Sequence, residues 1–202
     1  MAKRSAPEVN AGSMADIAFL LLIFFLVTTT IEKDSGISRK LPPWQPEDQE
    51  DVVIKQKNIF TVLLNGKDQL LVEDELMELK DLRKAAVEFL DNGGDGTCTY
   101  CKGKKDPSSS DNPDKAIVSL KNERETSYAV YISVQNEIVA AYNELRNRRA
   151  LELGPQKGFS NMNFIEMQQN LKDVRWTGNR TKLKELVDLI KDEYPQKFSE
   201  VQ

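Results

Sequence analysis

Asp16 is the residue in this sequence whose surroundings most clearly indicate chemistry, because it stands at the head of a long apolar stretch. The residues from Ile17 to Val27 read IAFLLLIFFLV, with no polar side chain among them. An ionised carboxylate in a lipid bilayer costs at least ~2.5–3.5 kcal/mol, so it is seldom kept there without a role in pairing, proton movement or transport. We therefore predict that Asp16 takes up and releases protons.

The composition excludes several other kinds of chemistry. The sequence contains no His, which removes the commonest general base near neutral pH and the commonest metal ligand. Lys and Arg alternate with acidic residues through most of the chain, and the net charge of −4 provides no general basic surface for nucleic acid. No catalytic set of side chains stands out. We expect a protein that is not an enzyme and that needs no metal or cofactor.

The apolar stretch predicts a transmembrane helix over residues 15–31. Such a helix rises roughly 25 Å, so it crosses the ~30 Å hydrocarbon core only if a turn before Asp16 is also helical. Two other interpretations are a cleaved signal peptide, since Lys3 and Arg4 precede the stretch, and a buried helix of a soluble domain. The sequence after Val27 lacks the small-x-small cleavage pattern, and the polar, Pro-rich residues beyond it give a buried helix nothing to pack against.

Charge and helical spacing predict how such a helix is oriented. The cations Lys3 and Arg4 place residues 1–14 in the cytoplasm by the positive-inside rule, and the rest of the chain on the other side of the membrane. A helix brings Asp16 onto one face with Leu20, Ile23, Val27 and Thr30, and we predict that this face meets partner helices. The alternative is that Asp16 lies at the membrane interface, where the helix dipole favours it, and has no further role.

Beyond the predicted span, the pattern indicates a linker and a small folded domain. Residues 32–51 contain three prolines among charged residues, which predicts an extended linker. Residues 52–154 predict a two-layer α/β (α+β) domain with the order β-hairpin, helix, strand, helix. Its hairpin signal is Asn65-Gly66 between two apolar runs. Helices are expected over residues 79–91 and 128–145, and the strand between them over residues 116–120.

Two segments extend this domain. Residues 91–114 are rich in Gly, Ser and Asp and predict a loop insertion. Residues 155–202 form a C-terminal extension with a predicted helix over residues 181–193, which is too short to be stable alone and must dock on something. Packing on its own domain and recognition of a partner are both open.

The N-terminal residues resemble the signature of the ExbD/TolR family of biopolymer-transport proteins. The resemblance is carried by Pro7-Glu8-Val9-Asn10, by Ser13-Met14-Ala15-Asp16-Ile17 and by the apolar residues up to Thr29. It implies that Asp16 occupies the position of the family's essential aspartate. It further implies a single-pass protein of the cell inner membrane with its C-terminal domain in the periplasm. Residues 112–118 and a helix starting at Tyr128 resemble the second half of the family's periplasmic domain.

The resemblance also implies a function and partners. Such a subunit forms a dimer inside a pentameric ring of ExbB-like membrane subunits, and together they use the proton-motive force to energise TonB-dependent outer-membrane transport through a TonB-like protein. One alternative is a subunit of a TolR or gliding-type motor. Another is a membrane-anchored periplasmic binding or scaffold protein with no proton role.

Cys98 and Cys101 are the only cysteines and lie within the insertion. In an oxidising periplasm a local disulfide is the simplest interpretation. A zinc site would need the pairs of two chains, because no His completes a tetrahedral site. A redox role would require a Cys at a helix N-terminus after a strand, which this loop lacks. A calcium loop starting at Asp91 fails because its twelfth residue is Lys102 rather than Glu.

Overall fold

The chain divides into two compact units, residues 1–50 and 51–202, and each is described separately. This computed structural model describes residues 11–28 and 54–201. The first unit contains helix α1 (Ala11–Thr28). Most of the predicted cytoplasmic segment 1–14, the end of the predicted span and the whole predicted linker 32–51 lie outside the described residues.

The second unit, called here the folded unit, is a mixed α/β structure built on a five-stranded sheet in the order β3-β2-β1-β4-β5. The strands β1, β2 and β3 are antiparallel neighbours, whereas β4 and β5 run parallel to β1. The bounds of the strands are Ile59–Leu64, Leu70–Val72, Glu75–Met77, Ile117–Asn122 and Phe198–Val201.

Alternation of side chains along the strands decides which face of the sheet is buried. In β1 every second residue is buried, namely Phe60, Val62 and Leu64. The parallel register pairs Phe60 with Val118 and Val62 with Leu120, so the apolar residues of both strands lie on the same face. That face packs against helices α2 (Leu79–Leu90) and α3 (Tyr128–Lys157), which bury Leu82, Ala86, Ile138 and Tyr142 in the same core.

The predicted hairpin between β1 and β2 is present, although its turn is longer than the Asn-Gly pair. The antiparallel register pairs Leu64 with Leu70, which leaves a loop over residues 65–69. The Asn65 side chain accepts hydrogen bonds from the backbone N–H groups of Lys67 and Gln69. Asp68, and not Gly66, adopts the left-handed conformation, with φ of 61°. Asn65 therefore closes the loop through its side chain.

Helix α3 continues well past the predicted end at residue 145 and includes Pro155 in its last turn. The helix was expected to end at residue 145, and this expectation was wrong. Gly158, with φ of 86°, ends the helix, and the N–H of Phe159 donates to the Gly154 carbonyl at 2.8 Å. A Cβ on Gly154 would lie 2.5 Å from the Phe159 carbonyl oxygen, so glycine is needed for this close approach.

The C-terminal extension packs on its own domain. Helices α4 (Phe164–Lys172) and α5 (Arg180–Glu193) enclose a second core with the end of α3, and this core contains Ala150, Phe164, Met167, Leu183, Leu186, Val187 and Ile190. Strand β5 then joins the sheet beside β4. The extension thus completes both layers of the fold.

The insertion over residues 91–114 contains no helix or strand and is folded around the side chain of Asn92. The Asn92 amide nitrogen donates to the carbonyl oxygens of Asp106 and Ser110, both at 2.8 Å, and its oxygen accepts from the Asp106 N–H at 2.9 Å. One buried amide therefore holds both ends of the loop without regular secondary structure.

Replacement of Leu186 tests the packing of the extension. Leu186 is 2% exposed in the second core, so Leu186→Ala should lower the free energy of unfolding by about 2–5 kcal/mol through the cavity it leaves. Leu189 lies on the same helix and is 43% exposed, so Leu189→Ala should cost about 1 kcal/mol or less. Chemical denaturation of the detergent-solubilised chain, followed by circular dichroism, measures both. Equal losses in the two variants would contradict the packing described here.

Candidate functional site

Helix α1 places Asp16 in its second turn, and Asp16 is the only charged residue between Ala11 and Thr28. Eighteen helical residues rise about 27 Å. The Asp16 side chain is exposed in the isolated chain and makes no hydrogen bond or ion pair with the described residues. Its carboxylate is thus available to a partner that the isolated chain does not contain.

The residues predicted to share a face with Asp16 are located in part. Leu20 and Ile23 lie within about 40° of Asp16 around the helix axis. Both side chains are exposed. Val27 continues the same face of the helix, but its side chain and the whole of Thr30 are outside the described residues.

Large apolar side chains are exposed on every side of α1. They are 41–65% exposed, and they are Met14, Ile17, Phe19, Leu20, Leu21, Leu22, Ile23, Phe24 and Phe25. A helix that is apolar all round needs an apolar environment on every face, which lipid or other helices supply. Among residues 11–28 and 54–201, however, no helix is both long enough and apolar enough to cross a membrane.

A network of polar side chains missed by the sequence analysis lies in the folded unit and is centred on Asp91. The buried carboxylate of Asp91 accepts two hydrogen bonds from the Arg148 guanidinium, at 2.7 and 2.8 Å, and one from the Tyr194 hydroxyl at 2.8 Å. The backbone N–H of Lys102 donates to it as well, at 3.2 Å. These contacts join the end of α2, the insertion, α3 and the end of α5.

The side chains of Arg146 and Tyr100 extend the Asp91 network. The Arg146 guanidinium donates twice to the Tyr194 carbonyl, at 2.7 and 3.0 Å, and lies between the rings of Tyr142 and Phe164. The Tyr100 hydroxyl donates to the Glu193 carbonyl at 2.9 Å. Burial raises the pKa of Tyr100 to about 12 and raises the pKa of Tyr194 well above its usual range, so both phenols stay protonated as hydrogen-bond donors.

Cys98 and Cys101 form a disulfide bond in the structure. Both side chains are buried, and the N–H of Cys101 lies 3.0 Å from the Cys98 sulfur. A Cβ on Gly93 would lie 3.0 Å from the Cys101 Cβ, so the chain passes close to the bond at this point. The described residues contain no group of three or more His, Cys, Asp or Glu side chains placed to hold a metal ion.

Two short turns of the insertion are closed by acidic side chains. The Thr97 hydroxyl and N–H both donate to Asp95, at 2.7 and 2.9 Å, and the Lys115 ammonium lies 3.0 Å away. These contacts, the Thr97 hydroxyl foremost, lower the pKa of Asp95 to about 2. Asp106 has the same arrangement with Ser108, whose hydroxyl and N–H lower its pKa as well.

Comparison with known proteins decides the family. The family described as biopolymer transport protein ExbD/TolR matches residues 2–148, about three quarters of the chain. The chain belongs to the ExbD/TolR family. The resemblance drawn from residues 7–29 is thereby confirmed. A curated relative, biopolymer transport protein exbD2 of Vibrio cholerae serotype O1, is 32% identical over 66 residues, which is 33% of this chain. The aligned part covers 46% of that relative, so the chain matches about half of its length.

The ExbD/TolR match contains α1, Asp16, strands β1 to β4, α2 and most of α3. It ends at Arg148, whereas α4, α5 and β5 lie beyond it. The Asp91 network therefore connects the ExbD/TolR part of this chain to residues outside the family match, through Tyr194. Membership of the family associates the chain with biopolymer transport, and it does not separate a TonB-type from a Tol-type system.

Removal of the Tyr194 hydroxyl tests whether the Asp91 network stabilises the fold. Tyr194→Phe leaves one buried carboxylate oxygen with one donor fewer, so it should lower the free energy of unfolding by about 1.5–3 kcal/mol. Tyr128 is 75% exposed, and Tyr128→Phe should change stability by about 0.5 kcal/mol or less. Urea denaturation of both variants provides the measurement. A neutral Tyr194→Phe would show that the Tyr194 hydroxyl adds nothing to stability.

The low pKa of Asp95 predicts a pH effect. Its folded-state value of about 2 lies below the ordinary value of 3.8, so its stabilising contribution is present above about pH 4 and disappears as the pH falls towards 2. An NMR titration of the side-chain carboxyl should give a midpoint near 2, and Thr97→Val should raise it towards 3.8. Ser108→Ala is the matched control, since it should raise the pKa of Asp106 and leave that of Asp95 unchanged.

Proposed function

We propose that this protein is a membrane-anchored subunit that uses the proton-motive force to energise biopolymer transport, with Asp16 as the proton carrier. One observation carries the proposal: α1 is apolar on all sides, has a single carboxylate, and belongs to a chain of the ExbD/TolR family. Between Glu8 and Glu32 the sequence has no charged residue other than Asp16, so Asp16 is the exception within a long uncharged stretch.

The exposed apolar surface of α1 supports a membrane location. No described part of α1 shows the amphipathic stripe of a helix that packs on a soluble domain. We place α1 and the uncharged residues up to Ile31 in the inner membrane, with the N-terminus in the cytoplasm. The Cys98–Cys101 disulfide supports a periplasmic location for the folded unit, because disulfides persist in oxidising compartments.

The energy available from the membrane potential is similar to the cost of a charged Asp16 in the bilayer. Moving one elementary charge through 100 mV changes its free energy by ~2.3 kcal/mol. A charged carboxylate at the centre of a bilayer costs at least ~2.5–3.5 kcal/mol. Because the two energies are comparable, the membrane potential can drive protonation and deprotonation of Asp16. The mechanism then requires no covalent catalysis.

The exposure of Asp16 supports an assembly rather than a lone subunit. A carboxylate facing lipid gains from being enclosed by other helices, and Leu20 and Ile23 provide an apolar contact surface beside it. We propose that an ExbB-like pentameric ring encloses a dimer of this chain, and that a TonB-like protein receives the work. A Tol-type or gliding-type motor is the alternative within the same mechanism.

Asp16→Asn tests the proton role, because it keeps the size of the side chain and removes its titratable group. The variant should assemble with its membrane partners, while energy-dependent outer-membrane uptake in cells and proton flux in proteoliposomes of the purified complex fall to background. Asp188 lies on the exposed face of α5, so Asp188→Asn is the matched acid-to-amide control and should keep both activities.

The outcomes separate the candidate functions. Normal uptake and flux with Asp16→Asn would overturn the proton role and leave a membrane-anchored periplasmic binding or scaffold protein. Loss of uptake together with loss of assembly would mean that Asp16 acts in assembly instead. Thermal unfolding of the folded unit should be the same in all three proteins, which excludes a stability effect.

A further inference from the structure

The turn between α4 and α5 carries an unusual concentration of positive charge. From Lys172 to Lys184 the sequence contains five cationic residues and a single acid, Asp173, for a net charge of +4, whereas the whole chain has −4. The five cations of this basic turn are Lys172, Arg175, Arg180, Lys182 and Lys184. The alternation of basic and acidic residues seen elsewhere is absent here.

None of these five cations forms an ion pair with the described residues, and all five are exposed. The carboxylate of Asp173 accepts from the backbone N–H of Arg175 at 2.9 Å. The first turn of α5 contains no acidic residue, although acids are favoured there by the helix dipole and cations are disfavoured. The stability of α5 therefore does not explain these positive charges.

The basic turn is held in one shape by contacts of its own residues. The Trp176 ring packs on the Phe159 ring, with centroids 6.3 Å apart. A Cβ on Gly178 would lie 2.2 Å from the Trp176 ring, so only glycine fits beside the indole. The Arg180 guanidinium donates to the carbonyl oxygens of Leu171 and Asp173 at the end of α4. The turn is thus a fixed surface feature.

An apolar side chain is exposed between Lys172 and Arg175 of the basic turn. Val174 is 89% exposed, the highest value among the large apolar residues of the described chain. Trp176, two residues further on, is only half-buried. A surface with an exposed apolar tip, an amphipathic indole and a surrounding group of cations matches the interface of a membrane that contains anionic lipid.

We propose that the basic turn docks the folded unit onto the surface of a membrane containing anionic phospholipids. Val174 and the edge of Trp176 enter the headgroup region, and the cations lie against lipid phosphates. An acidic protein surface would satisfy the charge and would leave Val174 without an apolar counterpart. A phosphate ion would likewise use only the cations.

The proposal rests on the proposed membrane anchoring of α1, which keeps the folded unit close to lipid. The 25 residues between Thr28 and Ile54 can span at most roughly 90 Å. Docking is therefore an intramolecular step at a high effective lipid concentration, and modest contacts suffice.

The full chain in lipid nanodiscs, with Trp44→Phe so that Trp176 is the only tryptophan, provides the test. Discs of phosphatidylcholine are compared with discs containing 30% phosphatidylglycerol, each with bromine-labelled acyl chains that quench indole fluorescence at short range. We expect strong quenching of Trp176 only in the anionic discs, reversed by 0.5 M salt and unaffected by 10 mM inorganic phosphate.

The triple variant Arg175→Glu, Lys182→Glu, Lys184→Glu should abolish this quenching. At ~1 kcal/mol for each cation near an anionic surface, loss of three cations weakens docking by about 150-fold. The variant should fold at least as well as the parent, since acids favour the first turn of α5. Lys67→Glu, Lys121→Glu, Arg124→Glu makes the same change of charge at exposed residues and should retain quenching.

Other results overturn the proposal. Equal quenching in neutral and anionic discs would do so, as would quenching that survives the triple reversal. Binding of peptidoglycan sacculi through the same cations, without quenching in anionic discs, would assign the turn to a different polymer. A chain that fails to enter discs would contradict the membrane anchor instead, and Trp176 quenching after adding it to preformed vesicles of the same lipids would still decide the role of the turn.

Discussion

The fold of residues 51–202 depends on how the Asp91 carboxylate is satisfied. A buried carboxylate is strongly unfavourable unless hydrogen bonds replace its water, and here Arg148, Tyr194 and the N–H of Lys102 provide them. These donors come from three separate regions of the chain. The network therefore joins the end of α2, the insertion and α3 to the end of α5, from which the chain continues into β5.

Local periodicity made much of this architecture predictable. Strands β1 and β4 and helices α2 and α5 have apolar residues at the spacing of their secondary structure, and these elements were expected close to where they lie. Strand β3 is short and largely exposed, and β5 reads FSEV, so neither has a recognisable pattern. The extent of α3 was underestimated because Gly and Pro usually mark the end of a helix, whereas here Pro155 lies inside the last turn and Gly158 ends it.

The candidate sites also differ in how far the local sequence predicts them. Asp16 could be selected from the sequence because a charge inside an apolar run is a local anomaly, and the family match includes it. The Asp91 network joins residues 57 and 103 positions apart, and no local signal marks such pairs. The positive charge of the basic turn was missed because the net charge of the whole chain is negative. Only the structure shows that its cations are exposed and form no ion pair with the described residues.

The parallel pairing of β4 with β5 has a consequence for how the protein is made. Val118 pairs with Phe198, so the ladder joins residues 80 positions apart, and closing so large a loop is entropically costly and slow. Until residues 198–201 are available to pair, the outer edge of β4 has no neighbour. During synthesis this edge is an open template for unwanted strand pairing, so the nascent domain gains from a chaperone that shields it.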